Sequence, residues 1–210
     1  MWWKVRPEQS SEFSDWHSHE HFPERMRIPG FRRGSRWMST LETEGFFVLY
    51  ELEQYETLTS KGYLDRLNAP TPWSTKMMPH HLSMVRSQCR VAASFGGGVA
   101  TSLATIRLSP DAGRETDLKT VLVEILRELA PKPGLTGAHL LVTDTLQRVR
   151  PRLSNRSEGR TAPPTGSSCS RVTILMWSRK LLLISFRRQR FALRAPAKIR
   201  RSATTGLHSL

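Results

Sequence analysis

The charges of this chain are divided between two unequal segments, which limits how much of the sequence can form an electrically balanced core. Residues 1–147 contain 17 Lys and Arg and 17 Asp and Glu, whereas residues 148–210 contain 15 basic residues and a single acidic one, Glu158. The whole formal net charge of +14 therefore lies in residues 148–210. A segment this cationic, and rich in Arg, Ser, Ala and Pro, favours disorder, so we predict a disordered or irregular basic tail there.

Residues 1–147 are long enough and neutral enough to form a globular unit with its own core. The two cysteines, Cys89 and Cys169, have no spacing typical of a metal site or a disulfide framework, which favours a reducing, cytoplasmic location. The segment that follows Met1 lacks the apolar stretch of a signal peptide. The longest apolar run of the tail, Leu181–Ile184, is too short to cross a bilayer, so no membrane association is expected.

Apolar patterning in the first 95 residues predicts the element order β-α-β-β-α-β, which is the ferredoxin-like arrangement within the α+β class. The predicted strands are 2–5, 33–39, 46–50 and 84–93, with a hairpin turn at 42–45. The predicted helical segments are 8–21, 52–67 and 75–78, and Pro23 is expected to disturb the first of them.

A second, partial repeat is predicted over residues 96–147. It contains a strand at 100–108, a strand at 138–143 and, between them, the clearest helical periodicity of the chain, carried by Leu118, Val121, Leu122, Ile125, Leu126 and Leu129. Pro29-Gly30-Phe31 and Pro133-Gly134-Leu135 each link a helix to a strand, which indicates a tandem duplication. The predicted units are a ferredoxin-like repeat at 1–95, an incomplete β-α-β repeat at 96–147 and the basic tail at 148–210.

The genetic code offers a second interpretation of the tail. If the reading frame is moved to begin at the third base of each codon, TC-type serine codons at residues 167–170 give four apolar residues, and residues 171–177 can give a polar turn. That would supply the strand which the second repeat lacks. We therefore predict that the chain leaves its original frame between Asp144 and Thr165, and AGC or AGT codons at Ser167, Ser168 and Ser170 would contradict this.

A stretch near the start of the chain contains Trp16, then Glu20-His21-Phe22-Pro23-Glu24-Arg25, then Ile28-Pro29-Gly30-Phe31. This stretch resembles EthD-like proteins of the dimeric α-β barrel superfamily. A later segment, Leu67-Asn68-Ala69-Pro70-Thr71-Pro72-Trp73, is also similar to uncharacterised bacterial members. The resemblance covers about residues 1–144. It implies a ferredoxin-like fold and a ligand site between the sheet and its helices. The superfamily includes cofactor-free monooxygenases, isomerases, cyclases and haem enzymes.

His21 is the candidate acid or base, because a neutral imidazole can accept or donate a proton near neutral pH. Alternatively, it is a helix-end residue held by Glu24 or a backbone carbonyl. Glu20 and Glu24 are candidate catalytic partners that could orient His21, with Arg25 and His17 as binding residues. Trp37, Tyr50 and Trp73 are candidate walls of a substrate cleft, although aromatic residues on strands also commonly pack in cores.

His17-Ser18-His19-Glu20-His21 also fits the H-x-x-E-H zinc pattern, but no matching third ligand follows, so no metal is expected. Gly96-Gly97-Gly98 lacks the Lys and Ser or Thr of a phosphate-binding loop, and no cofactor is expected.

Three functions remain open at this point. The first is a cofactor-free enzyme that acts on a small hydrophobic or aromatic compound through His21. The second is a ligand-binding or homodimerisation module without catalysis. The third is nucleic-acid binding through the tail, which the few aromatic residues there (Trp177, Phe186 and Phe191) make the least favoured, since stacking on bases needs aromatic side chains.

Overall fold

A single antiparallel sheet organises the molecule. The structure, a computed structural model, describes residues 1–40, 45–144, 172–178 and 205–209, with residues 177–178 and 205–209 described by their backbone only. Its strands are β1 (Trp2–Lys4), β2 (Phe31–Ser39), β3 (Gly45–Leu52), β4 (Leu82–Val85), β5 (Cys89–Gly96), β6 (Ser102–Leu108), β7 (Leu135–Thr143), β8 (Val172–Ser178) and β9 (Thr205–Ser209). They lie in the order β4-β1-β3-β2-β9-β6-β8-β7-β5, and all neighbours run antiparallel.

The first half has the connectivity predicted for it. Its helical segments are α1 (Pro7–Trp16), a π-helix (His17–His21), α2 (Phe22–Met26), a 3-10 helix (Tyr55–Thr59), α3 (Lys61–Asn68), α4 (Pro72–Met77) and a second 3-10 helix (Met78–His80). Strand β1 lies between β3 and β4, as the split βαβ arrangement requires. The α+β class and the ferredoxin-like arrangement of this half therefore agree with the prediction.

Two local predictions differ from the structure. Pro23 does not end the first helical segment, because it lies in the first turn of α2, where a missing N–H breaks no helical hydrogen bond. The strand predicted at 84–93 is two strands, since β4 pairs with β1 at one edge of the sheet and β5 pairs with β7 at the other. The chain therefore leaves the sheet at residues 86–88 to pass between the two edges.

The second half repeats the strand order of the first. Helix α5 (Glu115–Leu129) connects β6 to β7, and β6 lies between β8 and β9 just as β1 lies between β3 and β4. Two segments of the basic region, β8 and β9, contribute strands to this half of the sheet, and the incompleteness of the second repeat stays a prediction. The continuous apolar character of Val172–Met176 explains β8, since all five residues are buried and a strand covered on both faces needs no polar alternation.

Several predictions fall on residues outside the described part of the chain. Residues 41–44, in the predicted hairpin turn, are among them, and so are residues 145–171, where the change of frame was predicted. The change of frame therefore stays a prediction, as do the unit boundaries at residues 95 and 147. Within the described residues, Val172–Ser178 forms a strand from the sequence as written, where the alternative frame would place a polar turn.

The core consists of three apolar clusters. One lies under α1 and contains Trp3, Val5, Phe13, Trp16, Phe46, Val48 and Met77. A second contains Trp37, Phe47, Ala100, Leu103 and Leu175, so it joins side chains of both halves. The third packs α5 on the second half through Leu122, Leu126, Ala138, Leu140, Val172, Ile174 and Met176. The predicted helical periodicity thus faces the sheet, with Leu122 and Leu126 buried.

The turn before β2 requires glycine. Gly30 has a φ of +92°, and a Cβ built on it would lie 2.5 Å from Oγ1 of Thr57. We expect Gly30→Ala to lower the free energy of unfolding by about 2 kcal/mol, because the left-handed backbone is strained for alanine and the new methyl group meets Thr57. Urea denaturation followed by circular dichroism measures this loss.

Gly62→Ala is the matched control for that substitution. A Cβ on Gly62 would meet only Cγ2 of Ile28, at 3.8 Å, and Gly62 lies in α3. Since alanine is the better helix former, this variant is expected to be stabilised by about 0.5–1 kcal/mol. Equal effects of the two substitutions would contradict the role assigned to the Gly30 backbone.

Candidate functional site

The helical layer and strand β3 enclose one side of a cavity of about 800 Å³. Four of the residues predicted for the site line it: His17 and His21 from the π-helix, Arg25 from α2 and Tyr50 from β3. The lining continues past this face of the sheet to Glu51, His139 and Leu175, so the cavity extends into the space between the two halves. The geometry of its helical end is described below.

The π-helix places two histidines together at this end. The N–H of Phe22 donates to the carbonyl oxygen of His17, five residues earlier, so the turn is one residue wider than an α-helical turn. The rings of His17 and His21 lie 5.3 Å apart between centroids. Such wide turns are uncommon and occur often at functional sites.

The His17 side chain is 1% exposed, and no described group forms a hydrogen bond with its Nδ1. Its ring lies 4.3 Å from the ring of Phe22 and 5.8 Å from the ring of Trp3. The ring of His21 packs 4.7 Å from Trp16, and no hydrogen bond joins it to any described residue. The alternative in which Glu24 or a carbonyl holds His21 is therefore not what the structure has.

Burial keeps these imidazoles neutral. It lowers the pKa of His21 to about 3, with smaller contributions from the charges of Arg25 and His81. Burial also lowers the pKa of His17 well below its usual value, and His21, Arg36 and His81 act in the same direction. A neutral ring nitrogen with no protein partner can accept a hydrogen bond or a proton from a ligand.

Tyr50 forms a polar point in an aromatic wall. Its ring meets the rings of Phe22 and Phe31 edge-on, at 5.4 and 5.6 Å. Its hydroxyl is buried without a hydrogen-bond partner, and burial raises the pKa of this phenol. The absence of a side chain at Gly34 makes room for the wall, since a Cβ there would lie 3.0 Å from the Tyr50 ring and 3.1 Å from the Phe22 ring.

Two arginines approach the same end of the cavity around Tyr63. The guanidinium of Arg25 lies 5.6 Å from the centroid of the Tyr63 ring, and Nη2 of Arg86 donates to the Tyr63 hydroxyl. Both arginines line the cavity. Neither forms an ion pair with a carboxylate in the described part of the chain, and Nη1 of Arg25 is buried without a hydrogen-bond partner.

The two predicted carboxylates do not line the cavity. Oε1 of Glu20 accepts hydrogen bonds from Trp16, Ser74 and Thr71, and so ties the π-helix to α4. Oε1 of Glu24 lies 3.9 Å from Nη1 of Arg66. Glu20 therefore contacts Trp16, whose ring packs against His21, and does not reach the cavity itself. Glu24 pairs with Arg66, which belongs to α3.

Trp37 and Trp73 lie elsewhere. Trp37 is 1% exposed and packs with Phe47 and Leu103 in the second cluster, on the face of the sheet opposite Tyr50, because successive strand residues point to opposite faces. Trp73 packs beside the first cluster from α4. Neither belongs to the wall that holds Tyr50.

Sequence reasoning missed two residues of the site. The His81 ring lies 5.0 Å from Trp3 and 4.8 Å from Phe13, and burial lowers its pKa. Arg36 is 9% exposed and donates to the carbonyl of Ser14 and the hydroxyl of Ser18. The alternation of strand β2 could have placed Arg36 on the face that the helices cover, because its neighbours Ser35 and Trp37 point to the opposite face. No local signal predicts His81, whose contacts depend on the pairing of β1 with β4.

The described residues hold neither a metal-type cluster nor a membrane-type helix. No group of three or more His, Cys, Asp or Glu side chains there is arranged to hold a metal ion. No helix in the same residues has the length and apolar character needed to span a membrane.

No family model matches the sequence, and no curated protein matches it. Among solved structures, the fold is similar to a protein from Fusobacterium nucleatum designated "putative monooxygenase". The two have a TM-score of 0.58 and 7% identity over 100% of this chain and 89% of that one. A protein of the same designation from Lactobacillus acidophilus has a TM-score of 0.49 and 9% identity over 84% of this chain and 73% of that one.

The first of these likenesses concerns the fold. At 7% identity, it supports a mixed α+β fold and no more than that. Which chemistry the cavity performs has to be argued from its own side chains.

Proposed function

We propose that this protein is an EthD-like, cofactor-free enzyme that acts on a small hydrophobic compound with an aromatic or enolisable group, and that His21 is its base. The observation that carries the proposal is a neutral imidazole, free of hydrogen bonds to the described residues, on the wall of a large cavity. The aromatic rings of Trp3, Phe31 and Tyr50 at the same end suit a flat apolar ligand.

Proton transfer to His21 depends on the ligand. The low pKa of His21 reflects burial and nearby positive charge. A substrate that gives up a proton leaves an enolate or phenolate beside the new imidazolium. The attraction between these opposite charges is strong where water is excluded, so the pair forms together although the imidazolium alone is unfavourable.

Glu20 has a positioning role in this proposal. Its hydrogen bond to Nε1 of Trp16, at 3.1 Å, fixes the indole whose ring packs against His21. Ser74 donates to the same carboxylate oxygen and keeps α4 against the π-helix. A catalytic role for Glu24 stays a prediction, because its carboxylate faces Arg66.

Replacing His21 tests the proposal. Exchange of the acidic carbon-bound hydrogen of tetralone in D2O, followed by NMR, reports proton abstraction, and oxygen uptake with naphthols reports oxidation. Whichever of the two reactions the unmodified protein catalyses, we expect His21→Gln to slow it by about 100-fold or more, as for loss of a general base. Ligand binding, measured by quenching of tryptophan fluorescence, is expected to persist in this variant. His19→Gln is the matched control, because His19 is exposed on the same turn and pairs with Asp15. Equal rates in the two variants would exclude His21 as the base.

A ligand-binding module without catalysis is the second candidate. It is favoured by the low pKa of His21, since a base that weak abstracts protons slowly unless the ligand raises its pKa. Saturable binding of naphthols with neither exchange nor oxygen uptake by the unmodified protein would support this candidate over the enzyme.

A further inference from the structure

The helical end of the cavity contains buried polar atoms that no described protein group satisfies. Nη1 of Arg25 and the hydroxyl of Tyr50 both lack hydrogen-bond partners, and the two residues line the same cavity. Buried polar groups in native proteins are almost always paired, so each unpaired group calls for an explanation. A ligand in the cavity that accepts hydrogen bonds from both Arg25 and Tyr50 would explain why neither has a protein partner.

The charges at this end are unbalanced. Among the described carboxylates of the lining, Glu51 is held by Arg33 at 2.6 Å, and Glu53 lies 3.7 Å from Arg32. Arg25 and Arg86 line the cavity around Tyr63 without such a partner. A third cation, Arg36, also acts on the Tyr50 phenol, and the one carboxylate that acts on it, Glu24, lies 3.9 Å from a further arginine, Arg66. Excess positive charge in a partly enclosed space attracts an anion.

We propose that the ligand is an aromatic compound bearing a carboxylate, and that Arg25 and Tyr50 hold this carboxylate. A planar carboxylate can accept from a guanidinium and a phenol together, which satisfies both unpaired donors. The ring of Phe31, which meets the Tyr50 ring at 5.6 Å and lines the same cavity, provides an apolar wall beside this point for the aromatic body. The inference rests on the proposed function, because it uses the same cavity and names its substrate class.

The electrostatics of His21 agree with this assignment. Arg25 is the largest charge that lowers the pKa of His21. A carboxylate on Arg25 would offset that charge and so raise the pKa of His21, although burial, the larger cause of its low value, would remain. Binding of the substrate would thereby improve the base that acts on it.

Paired ligands test the carboxylate assignment. Naphthoate and its neutral amide, naphthamide, have nearly the same shape, so the difference in their calorimetric affinities isolates the charge. We expect the unmodified protein to bind naphthoate about tenfold more tightly, and Arg25→Gln and Tyr50→Phe each to weaken naphthoate about tenfold while changing naphthamide by less than twofold. Arg27→Gln is the matched control, since Arg27 is exposed at the end of the same helix.

The outcomes separate this inference from the proposed function. Equal affinity for the two ligands, equal effects of Arg25→Gln and Arg27→Gln, or no binding of naphthoate by the folded protein would overturn the carboxylate assignment. In those cases, hydrogen exchange of tetralone that depends on His21 would still support the proposed enzyme. Tight binding of naphthoate that depends on Arg25, without turnover of any carboxylate-bearing substrate, would support the carboxylate assignment and contradict the proposed enzymatic function.

Discussion

A protein carrying Ile174→Asp is expected to lose the fold of its second half, with a fall in the free energy of unfolding of about 4 kcal/mol or more. Ile174 is 4% exposed and lies in the third cluster. It is paired with Ile106 on one side and Leu140 on the other, in a strand between β6 and β7. A carboxylate at this position would be buried without a partner, and the packing of the isoleucine would be lost as well.

Val91→Asp is the matched control for this prediction. Val91 is also a β-branched residue in a strand, but it is 64% exposed on β5 at the edge of the sheet, so the change is expected to stay within about 0.5 kcal/mol. Urea unfolding of both variants, followed by circular dichroism, gives the comparison. If Ile174→Asp is as stable as the unmodified protein, β8 does not lie in the sheet, and the folded unit ends near Asp144 as the charge distribution suggested.

Acid is expected to destabilise this protein steeply below about pH 6.5. His17, His21 and His81 all have pKa values lowered by burial, that of His21 to about 3. The unfolded chain therefore binds protons on these residues near pH 6.5 while the folded chain does not. Stability is fully present above that pH; for His21 it falls by about 1.4 kcal/mol per pH unit from there down to about pH 3, and His17 and His81 add to the loss in the same direction.

At about pH 5, His21 alone accounts for a loss of about 2 kcal/mol, which is a large part of the stability of an ordinary domain. Urea unfolding at several pH values between about 7.5 and 5 measures the slope. His81→Gln is expected to reduce it by the contribution of one proton, since the ring that packs against Trp3 and Phe13 no longer titrates. A stability that does not change between about pH 7 and 5 would contradict the burial of the three rings.

The fold of the first half follows from local sequence signals, and the fold of the second half follows only in part. The two Pro-Gly links predicted a repeat, and Gly30 and Gly134 indeed have φ values of +92° and +90° before strands β2 and β7. The strands that the basic region contributes to the second half were not predicted. High positive charge over residues 148–210 outweighed the short apolar run Val172–Met176, although a strand needs only such a run when its neighbours bury it.

The candidate site was predictable where its residues follow one another at the spacing of successive helical turns. His17, His21 and Arg25 follow one another along the first helical segment, and all three line the cavity with Tyr50. Trp37 and His81 required knowledge of the sheet. Which face Trp37 takes depends on the register of β2 with β3, and His81 reaches Trp3 only because β4 pairs with β1. Pairing between distant segments is not encoded in local periodicity.

The position of β9 has a consequence for synthesis on the ribosome. This strand lies between β2 and β6, so it joins the two halves of the sheet, yet it comes from residues 205–209. All four strands of the first half have emerged by Val85, some 120 residues before their connection to the second half is made. Until then β2 and β6 each present an open edge, where a nascent chain is most exposed to association with its neighbours and most dependent on chaperones.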